Sequence, residues 1–189
     1  MSLVCPRWQK AFVHVPKTGG SSIEWNYKRI GWYGLKRPPY NKTHHVGFNY
    51  IKQHCPTLQK AYAIVRNPVD RAISYWRHWV HVEQIELKFK DWYWVHSKHH
   101  KRWNAVHVPQ YHTISGTYEQ TDISHTQIYD YKDIKNFYMD TIGLIPEDNP
   151  NIHNYRKTVE APTLSKTDRF KILENHTDYK IWGKRYDWK

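Results

Sequence analysis

The stretch Ala11–Ile23 reads AFVHVPKTGGSSI and joins an apolar, β-branched run to a glycine-rich break. Ala11–Val15 has the composition of a buried strand, Pro16–Gly20 interrupts it, and Ser21–Arg29 is typical of a helix. In such a turn, backbone N–H groups point into one concavity, and the helix N-terminus carries about half a positive charge. The stretch therefore predicts an anion-binding loop between a strand and a helix.

The side chains of this loop suit a phosphate or sulfate group, because Lys17 supplies a movable ammonium and the hydroxyl groups supply donors. An ordinary loop with a helix cap would have a similar composition, since short glycine motifs are weak evidence alone. In a nucleoside-triphosphate P-loop the lysine follows the glycines, whereas Lys17 precedes them, so a P-loop kinase is disfavoured. The residues expected to contact the anion are Pro16, Lys17, Thr18, Gly19, Gly20, Ser21 and Ser22.

A second segment repeats this layout. Ala61–Val65 (AYAIV) is another short apolar run, and the residues from Val69 onward show apolar side chains at helical spacing. Asn67 suits the N-cap of that helix and Pro68 its first position. Buried strands that are each followed by a helix predict an α/β fold, a three-layer domain with a central, mainly parallel sheet flanked by helices.

Arg66 and Ser74 form the second candidate anion site. Arg66 stands at the end of the strand and Ser74 lies about two turns into the helix, so we expect both to reach one anion above the helix start. The alternative is an ion pair between Arg66 and Asp70, with Ser74 as a hydroxyl on the helix surface.

Three further helices and one further strand are expected downstream, the last helix opening at a Thr163 or Ser165 cap. The two most loop-like stretches are residues 36–45 and 145–162. The expected elements are a helix over Glu83–Trp103, a strand over Gln127–Tyr131, and helices over Asp133–Ile142 and Ser165–Asn175.

Size and charge limit the classes of protein that fit. The 189 residues suit one domain over 1–189, and the net charge of +12 favours anionic partners. No apolar run approaches the roughly 20 residues of a membrane span, and no secretory h-region is evident, so we expect a cytoplasmic protein; a luminal fragment of a longer chain is the alternative. His96 and His100 have zinc-like spacing but no third ligand nearby, so no metal site is predicted.

HVPKTGGSS (His14–Ser22) and YAIVRNPVDRAISYW (Tyr62–Trp76) together resemble the two phosphate-binding motifs of sulfotransferases that use 3'-phosphoadenosine 5'-phosphosulfate (PAPS). The order and the internal spacing of both motifs match. The resemblance implies a P-loop-like sulfotransferase fold in which the first loop holds the 5'-phosphosulfate. It also implies that Arg66 and Ser74 hold the 3'-phosphate, and that no metal is required.

Two more segments are similar to one group within this family, the heparan sulfate and uronyl 2-O-sulfotransferases. THHVGF (Thr43–Phe48) resembles their histidine segment, which implies that His45 is the catalytic base; His44 and Glu24 remain alternatives. HNYRKTVE (His153–Glu160) resembles a basic loop that closes over the cofactor. This second likeness implies that cofactor contacts come from Arg156, Lys157 and Thr158.

The implied reaction moves a sulfuryl group from PAPS to an acceptor hydroxyl, expected on a carbohydrate. Lys17 would stabilise charge on the leaving oxygen, and a neutral histidine would take the acceptor proton. The acceptor is expected to be an anionic or neutral glycan or a small alcohol, and nucleic acid is disfavoured. Two alternative functions are a small-molecule kinase of the P-loop type and a non-catalytic basic module that binds nucleic acid or glycan.

Overall fold

The computed structural model describes residues 1–35, 46–100, 104–116, 123–146 and 159–189. The chain divides into two compact units, each built from two separate segments of sequence. The prediction of one domain over 1–189 stays a prediction. The first unit comprises Met1–Arg66 and Gln110–Pro150, and the second comprises Asn67–Pro109 and Asn151–Lys189.

The described part of the first unit contains a five-stranded sheet, made of β1 (Leu3–Cys5), β2 (Lys10–Val13), β3 (Tyr33–Gly34), β4 (Lys60–Val65) and β5 (Thr126–Asp130). The strand order is β3-β1-β2-β4-β5. The pairs β2–β4 and β4–β5 are parallel, while β1 is antiparallel to both of its neighbours. In this sheet β1 therefore runs opposite to the other four strands, and the predicted α/β fold with a mainly parallel sheet is confirmed.

Helices follow β2, β4 and β5 along the chain, as the sequence predicts. A π-helical stretch, Trp92–His96, links the short helices Phe89–Asp91 and Ser97–His99. No helix among the described residues is long and apolar enough to cross a bilayer. The helices are α1 (Gly20–Lys28), α2 (Phe48–His54), α3 (Pro68–Glu83), α4 (Phe89–Asp91), α5 (Ser97–His99), α6 (Gln110–Ser115), α7 (Ile134–Ile142), α8 (Lys166–Glu174) and α9 (Thr177–Trp182).

One face of the sheet packs against α1 and α7 through aromatic side chains. Phe12 on β2 and Tyr62 on β4 are paired in register and point to this face. The rings of Tyr27 on α1 and Phe137 on α7 stack at a centroid distance of 5.9 Å. The hydroxyl of Tyr27 is bonded to the Thr141 side chain, so its buried polar tip is satisfied. This packing fixes α1, and with it the loop that precedes the helix.

The second unit is helical in its described residues, with a core that includes Val69 and Trp92. The predicted helix over Glu83–Trp103 is wrong at its start, because α3 ends at Glu83 and Gln84 adopts a left-handed conformation with φ 52°. Helical structure resumes only at α4. The predicted last helix is confirmed, and Ser165 is its N-cap: it forms a reciprocal capping box with Asp168.

Candidate active site at the carboxyl ends of the strands

Three parallel strands of the first unit end at the same edge of the sheet. The loop Pro16–Gly19 follows β2, Arg66 follows β4, and Tyr131 follows β5. Ligands of open parallel sheets bind outside the carboxyl ends of the strands, where loops and helix N-termini converge. This edge is therefore the candidate site, and it contains both Lys17 and Arg66.

The loop after β2 holds an unusual backbone conformation. Gly19 has φ 83°, and Lys17 has φ 67°, a left-handed value that costs a residue with a side chain about 1–2 kcal/mol. Thr18 is fully buried, and its hydroxyl donates to the Val15 carbonyl at 2.8 Å. The Thr18 side chain thus stabilises the loop on its buried side, while Lys17 is half-buried at the loop surface.

The start of α1 offers backbone donors to an anion. Ser22 and Ile23 both donate their N–H groups to the Gly19 carbonyl, at 3.1 and 3.3 Å. Across the part of the chain that the structure describes, the N–H groups of Gly19, Gly20 and Ser21 have no acceptor. These three consecutive donors at a helix N-terminus match the requirement of a phosphate or sulfate oxygen.

Gly20 is required here because His14 lies directly beneath it. A Cβ atom at Gly20 would lie 1.9 Å from Nε2 of His14, well inside van der Waals contact. His14 is buried at the end of β2, and its ring stacks on that of Phe12 at 5.9 Å. The second glycine of the motif therefore lets α1 approach the strand closely.

Arg66 connects the two segments that the sequence singled out. Its Nη1 donates to the Lys17 carbonyl at 3.3 Å, and its guanidinium lies 4.8 Å from the centre of the Tyr131 ring. The structure therefore brings Lys17 and Arg66 together at one edge. Ser74 belongs to the second unit, where it is buried in α3, and Asp70 of that unit pairs with Arg169 at 3.6 Å.

Three residues of this site carry no local signal in the sequence. Tyr131 packs against the loop, since a Cβ at Gly19 would lie 2.8 Å from its ring. Asp130, at the end of β5, accepts from the Lys132 N–H at 2.8 Å and thereby shapes the turn that carries Tyr131. Gln110 on α6 is fully buried and bonds both main-chain groups of Arg66.

The expected base is not among the residues that the structure describes. His44 and His45 lie in 36–45, and Arg156, Lys157 and Thr158 lie in 147–158, so these predictions fall outside the described residues. Glu24 on α1 is ion-paired with Lys28 at 2.6 Å. Burial raises the pKa of Glu24, but hydrogen bonds and charge from Lys28 and the N-terminal ammonium outweigh it, so the pKa lies below its ordinary value. Glu24 is thus a weak base.

No protein-family model matches the chain, and no curated protein or solved structure matches it significantly. Within the described ranges, no group of three or more His, Cys, Asp or Glu side chains could hold a metal ion. Lys17 and Arg66 bring positive charge to the carboxyl edge, and the loop adds backbone N–H donors.

Proposed function

We propose that the chain is a PAPS-dependent sulfotransferase with a P-loop-like sulfotransferase fold, acting on an acceptor hydroxyl that is expected on a carbohydrate. One observation carries the proposal. The Arg66 guanidinium donates to the Lys17 carbonyl, so the two segments that resemble the family's phosphate-binding motifs converge at one sheet edge. A nucleotide with phosphate groups at its 5' and 3' positions needs two such anion sites close together.

The loop residues fit the 5' end of this donor. The three amides from Gly19 to Ser21 lack an acceptor in the described structure, and Lys17 stands beside them. Bound there, PAPS supplies the sulfuryl group; the sulfur–oxygen bond to its 5'-phosphate breaks as a new one forms to the acceptor oxygen. Negative charge then grows on the 5'-phosphate, where an ammonium and oriented amides stabilise it.

The 3' end of the donor is assigned to Arg66 and Ser74 by the resemblance. The Arg66 guanidinium can bind a phosphate with two parallel hydrogen bonds, which favours arginine over lysine at such a position. Its backbone is held by Gln110 and its charged group by Tyr131. Because these contacts already restrict the Arg66 side chain, it loses little conformational entropy when it binds an anion.

The acceptor proton must go to a base, and we propose His45, with His44 as the alternative. A neutral imidazole has an ordinary pKa near 6.5 and accepts a proton at physiological pH. Glu24 is disfavoured because its carboxylate is already ion-paired. Arg156, Lys157 and Thr158 are proposed as further donor contacts on the same resemblance.

The first test measures nucleotide binding by calorimetry without metal. We expect 3'-phosphoadenosine 5'-phosphate to bind on the order of tenfold to a hundredfold more tightly than adenosine 5'-phosphate, because the latter lacks the 3'-phosphate. Arg66→Ala should remove this preference, and Lys60→Ala, an exposed cation at the amino end of β4 in the same unit, should keep it. Preference for ATP with Mg²⁺ would instead indicate a kinase. Strongly salt-dependent binding with no preference for the 3'-phosphate would indicate a non-catalytic basic module.

The second test measures transfer of radiolabelled sulfate from PAPS to desulfated glycans, native glycans and small alcohols. Lys17→Ala should lose transfer while keeping the fold, since Lys17 is half-buried at the loop surface. His45→Ala should lose transfer but keep nucleotide affinity. Full transfer by both variants would contradict the proposed mechanism.

A further inference from the structure

The opposite end of the same sheet carries a cluster of exposed apolar side chains. Lys10 and Lys60 are the first paired residues of β2 and β4, so the connections around them lie at the amino ends of the strands. Apart from Met139, every exposed large hydrophobic side chain in the described first unit lies in or beside these connections. This amino-end patch comprises Trp8, Ile30, Tyr33, Leu144 and Ile145, which are 39–53% exposed.

Contacts within the unit join these side chains into one region. The Trp8 ring meets the buried Trp32 ring edge-on at 6.2 Å, and Trp32 lies between Ile30 and Tyr33 in the chain. The Lys10 ammonium lies 5.9 Å from the Trp8 ring and donates to the Thr141 carbonyl at 3.1 Å. That contact brings the end of α7, and the Leu144 and Ile145 that follow, to the same end.

The described residues around the patch are mainly basic. The described connections at this end, residues 6–9, 29–32, 55–59 and 143–146, contain no Asp or Glu. A carboxylate near them belongs to Asp140 on α7, which accepts a hydrogen bond from the Tyr129 hydroxyl at 2.5 Å. Among the described residues, the cations at this end include Arg7, Lys10, Lys28, Arg29, Lys52 and Lys60, of which Lys28 is paired with Glu24.

We propose that the amino-end patch docks the protein on the surface of an anionic phospholipid bilayer. Aliphatic side chains at loop tips insert among acyl chains, Trp and Tyr favour the headgroup level, and surrounding Lys and Arg attract anionic headgroups. A second copy of this chain would bring the same positive charges against it, which disfavours self-association through the patch. The apolar groups are carried on several separate loops, an arrangement suited to a bilayer surface rather than to one bound peptide.

This docking leaves the candidate site accessible. β4 has six residues and separates the two ends of the sheet by about 20 Å, so the carboxyl edge points away from a surface bound at the amino ends. The proposal is independent of the proposed sulfotransferase activity, because vesicle binding and nucleotide binding are measured separately.

The test is co-sedimentation of the full chain with vesicles of phosphatidylcholine alone and of phosphatidylcholine with one-quarter phosphatidylserine. We expect binding to the anionic vesicles, and an affinity loss on the order of tenfold for Trp8→Gln/Ile145→Gln, which leaves every charge in place. The matched control is Phe170→Gln/Ile181→Gln, two side chains of the second unit that are 51% and 46% exposed. This control should bind like the unsubstituted protein.

The contribution of positive charge is tested with Arg29→Glu/Lys60→Glu, which should also weaken binding to the anionic vesicles. Near-ultraviolet circular dichroism checks that each variant is folded. Two results would reduce the effect to net charge and overturn the proposal. The first is that Trp8→Gln/Ile145→Gln binds the anionic vesicles as tightly as the unsubstituted protein. The second is that 0.5 M salt abolishes binding equally in Trp8→Gln/Ile145→Gln and in Phe170→Gln/Ile181→Gln. Absence of vesicle binding overturns it as well. Self-association that the Trp8 substitution reverses would assign the patch to a second copy instead.

Discussion

The side-chain amide of Gln110 bonds both main-chain groups of Arg66. Its Oε1 accepts from the Arg66 N–H at 2.9 Å, and its Nε2 donates to the Arg66 carbonyl at 2.8 Å. Gln110 is fully buried, so water cannot replace either bond. The position of Arg66 beyond the end of β4 thus depends on a residue of α6 that lies 44 positions away in the sequence.

Gln110→Leu should therefore weaken the site as well as the fold. It leaves a buried N–H and a buried carbonyl unpaired, and each loss costs about 1–3 kcal/mol. We expect the free energy of unfolding to fall by about 2–4 kcal/mol, and the affinity for 3'-phosphoadenosine 5'-phosphate to fall with it. Urea denaturation and calorimetry measure the two quantities. Thr113→Ala on the same helix is the control. A Gln110→Leu protein of unchanged stability would show that the two hydrogen bonds from Gln110 to the Arg66 main chain are not needed.

Substitutions at Gly20 and His14 should have strongly non-additive effects on the free energy of unfolding. Gly20→Ala places a methyl group 1.9 Å from Nε2 of His14 and should cost about 1–3 kcal/mol of unfolding free energy. Alanine is otherwise the better helix residue by about 1 kcal/mol. In a His14→Ala background, the same Gly20 substitution should therefore be neutral or stabilising. A double-mutant cycle by urea denaturation measures this reversal of sign, and equal costs in both backgrounds would rule out the proposed contact.

The sequence predicted those parts of the fold that rest on local signals. Asn67 and Pro68 mark the start of α3, and the Asn67 side chain does accept from the Val69 N–H at 2.9 Å. The strand over Gln127–Tyr131 appears as β5, shifted by one residue. Each of these signals lies within a few residues of the element that it specifies, and such local signals can be recognised in the sequence alone.

What the sequence did not predict depends on long-range contacts or on weak local preferences. β1 and β3 have three and two residues and exist through pairing with each other and with β2. Gln84 stops α3 in a left-handed conformation without a glycine or proline to mark it. Gln110 and Tyr131 reach the candidate site from distant positions in the chain, and no local pattern distinguishes them from ordinary polar or aromatic residues.

Lys17 should show opposite effects on stability and on activity. Its φ of 67° is unfavourable for a residue with a Cβ but costs glycine little. Lys17→Gly should thus raise the free energy of unfolding by about 1 kcal/mol while abolishing sulfuryl transfer. Lys17→Ala should lose transfer without the gain in stability. Thermal unfolding and the radiolabel assay test this pair, and a Lys17→Gly protein with normal turnover would remove Lys17 from the mechanism.

The second unit should lose stability in mild acid because of two buried histidines. Burial lowers the pKa of His176 to about 3, with Arg71 and then His107 adding to the effect, although a carboxylate oxygen of Asp178 lies 3.9 Å away. Burial, helped by the charges of Lys98 and Arg71, lowers the pKa of His107 to about 4. The neutral form of both side chains is thus favoured in the folded unit, and Arg71, whose charge contributes to both lowered pKa values, is itself buried.

The sign of the pH effect follows from these directions. In the unfolded chain a histidine binds its proton near pH 6.5, whereas the folded unit resists protonation until about pH 4 or below, so acid favours unfolding. The stability is fully present above about pH 6.5 and is lost as the pH falls toward 3, by about 4 kcal/mol for His176 alone. Urea denaturation at several values between pH 7.5 and 4.5 measures this loss. His176→Gln should reduce the dependence of the free energy of unfolding on pH, whereas His96→Gln, on the exposed surface, should leave it unchanged. The same pH dependence in the unsubstituted protein and in both variants would contradict the role given to His176.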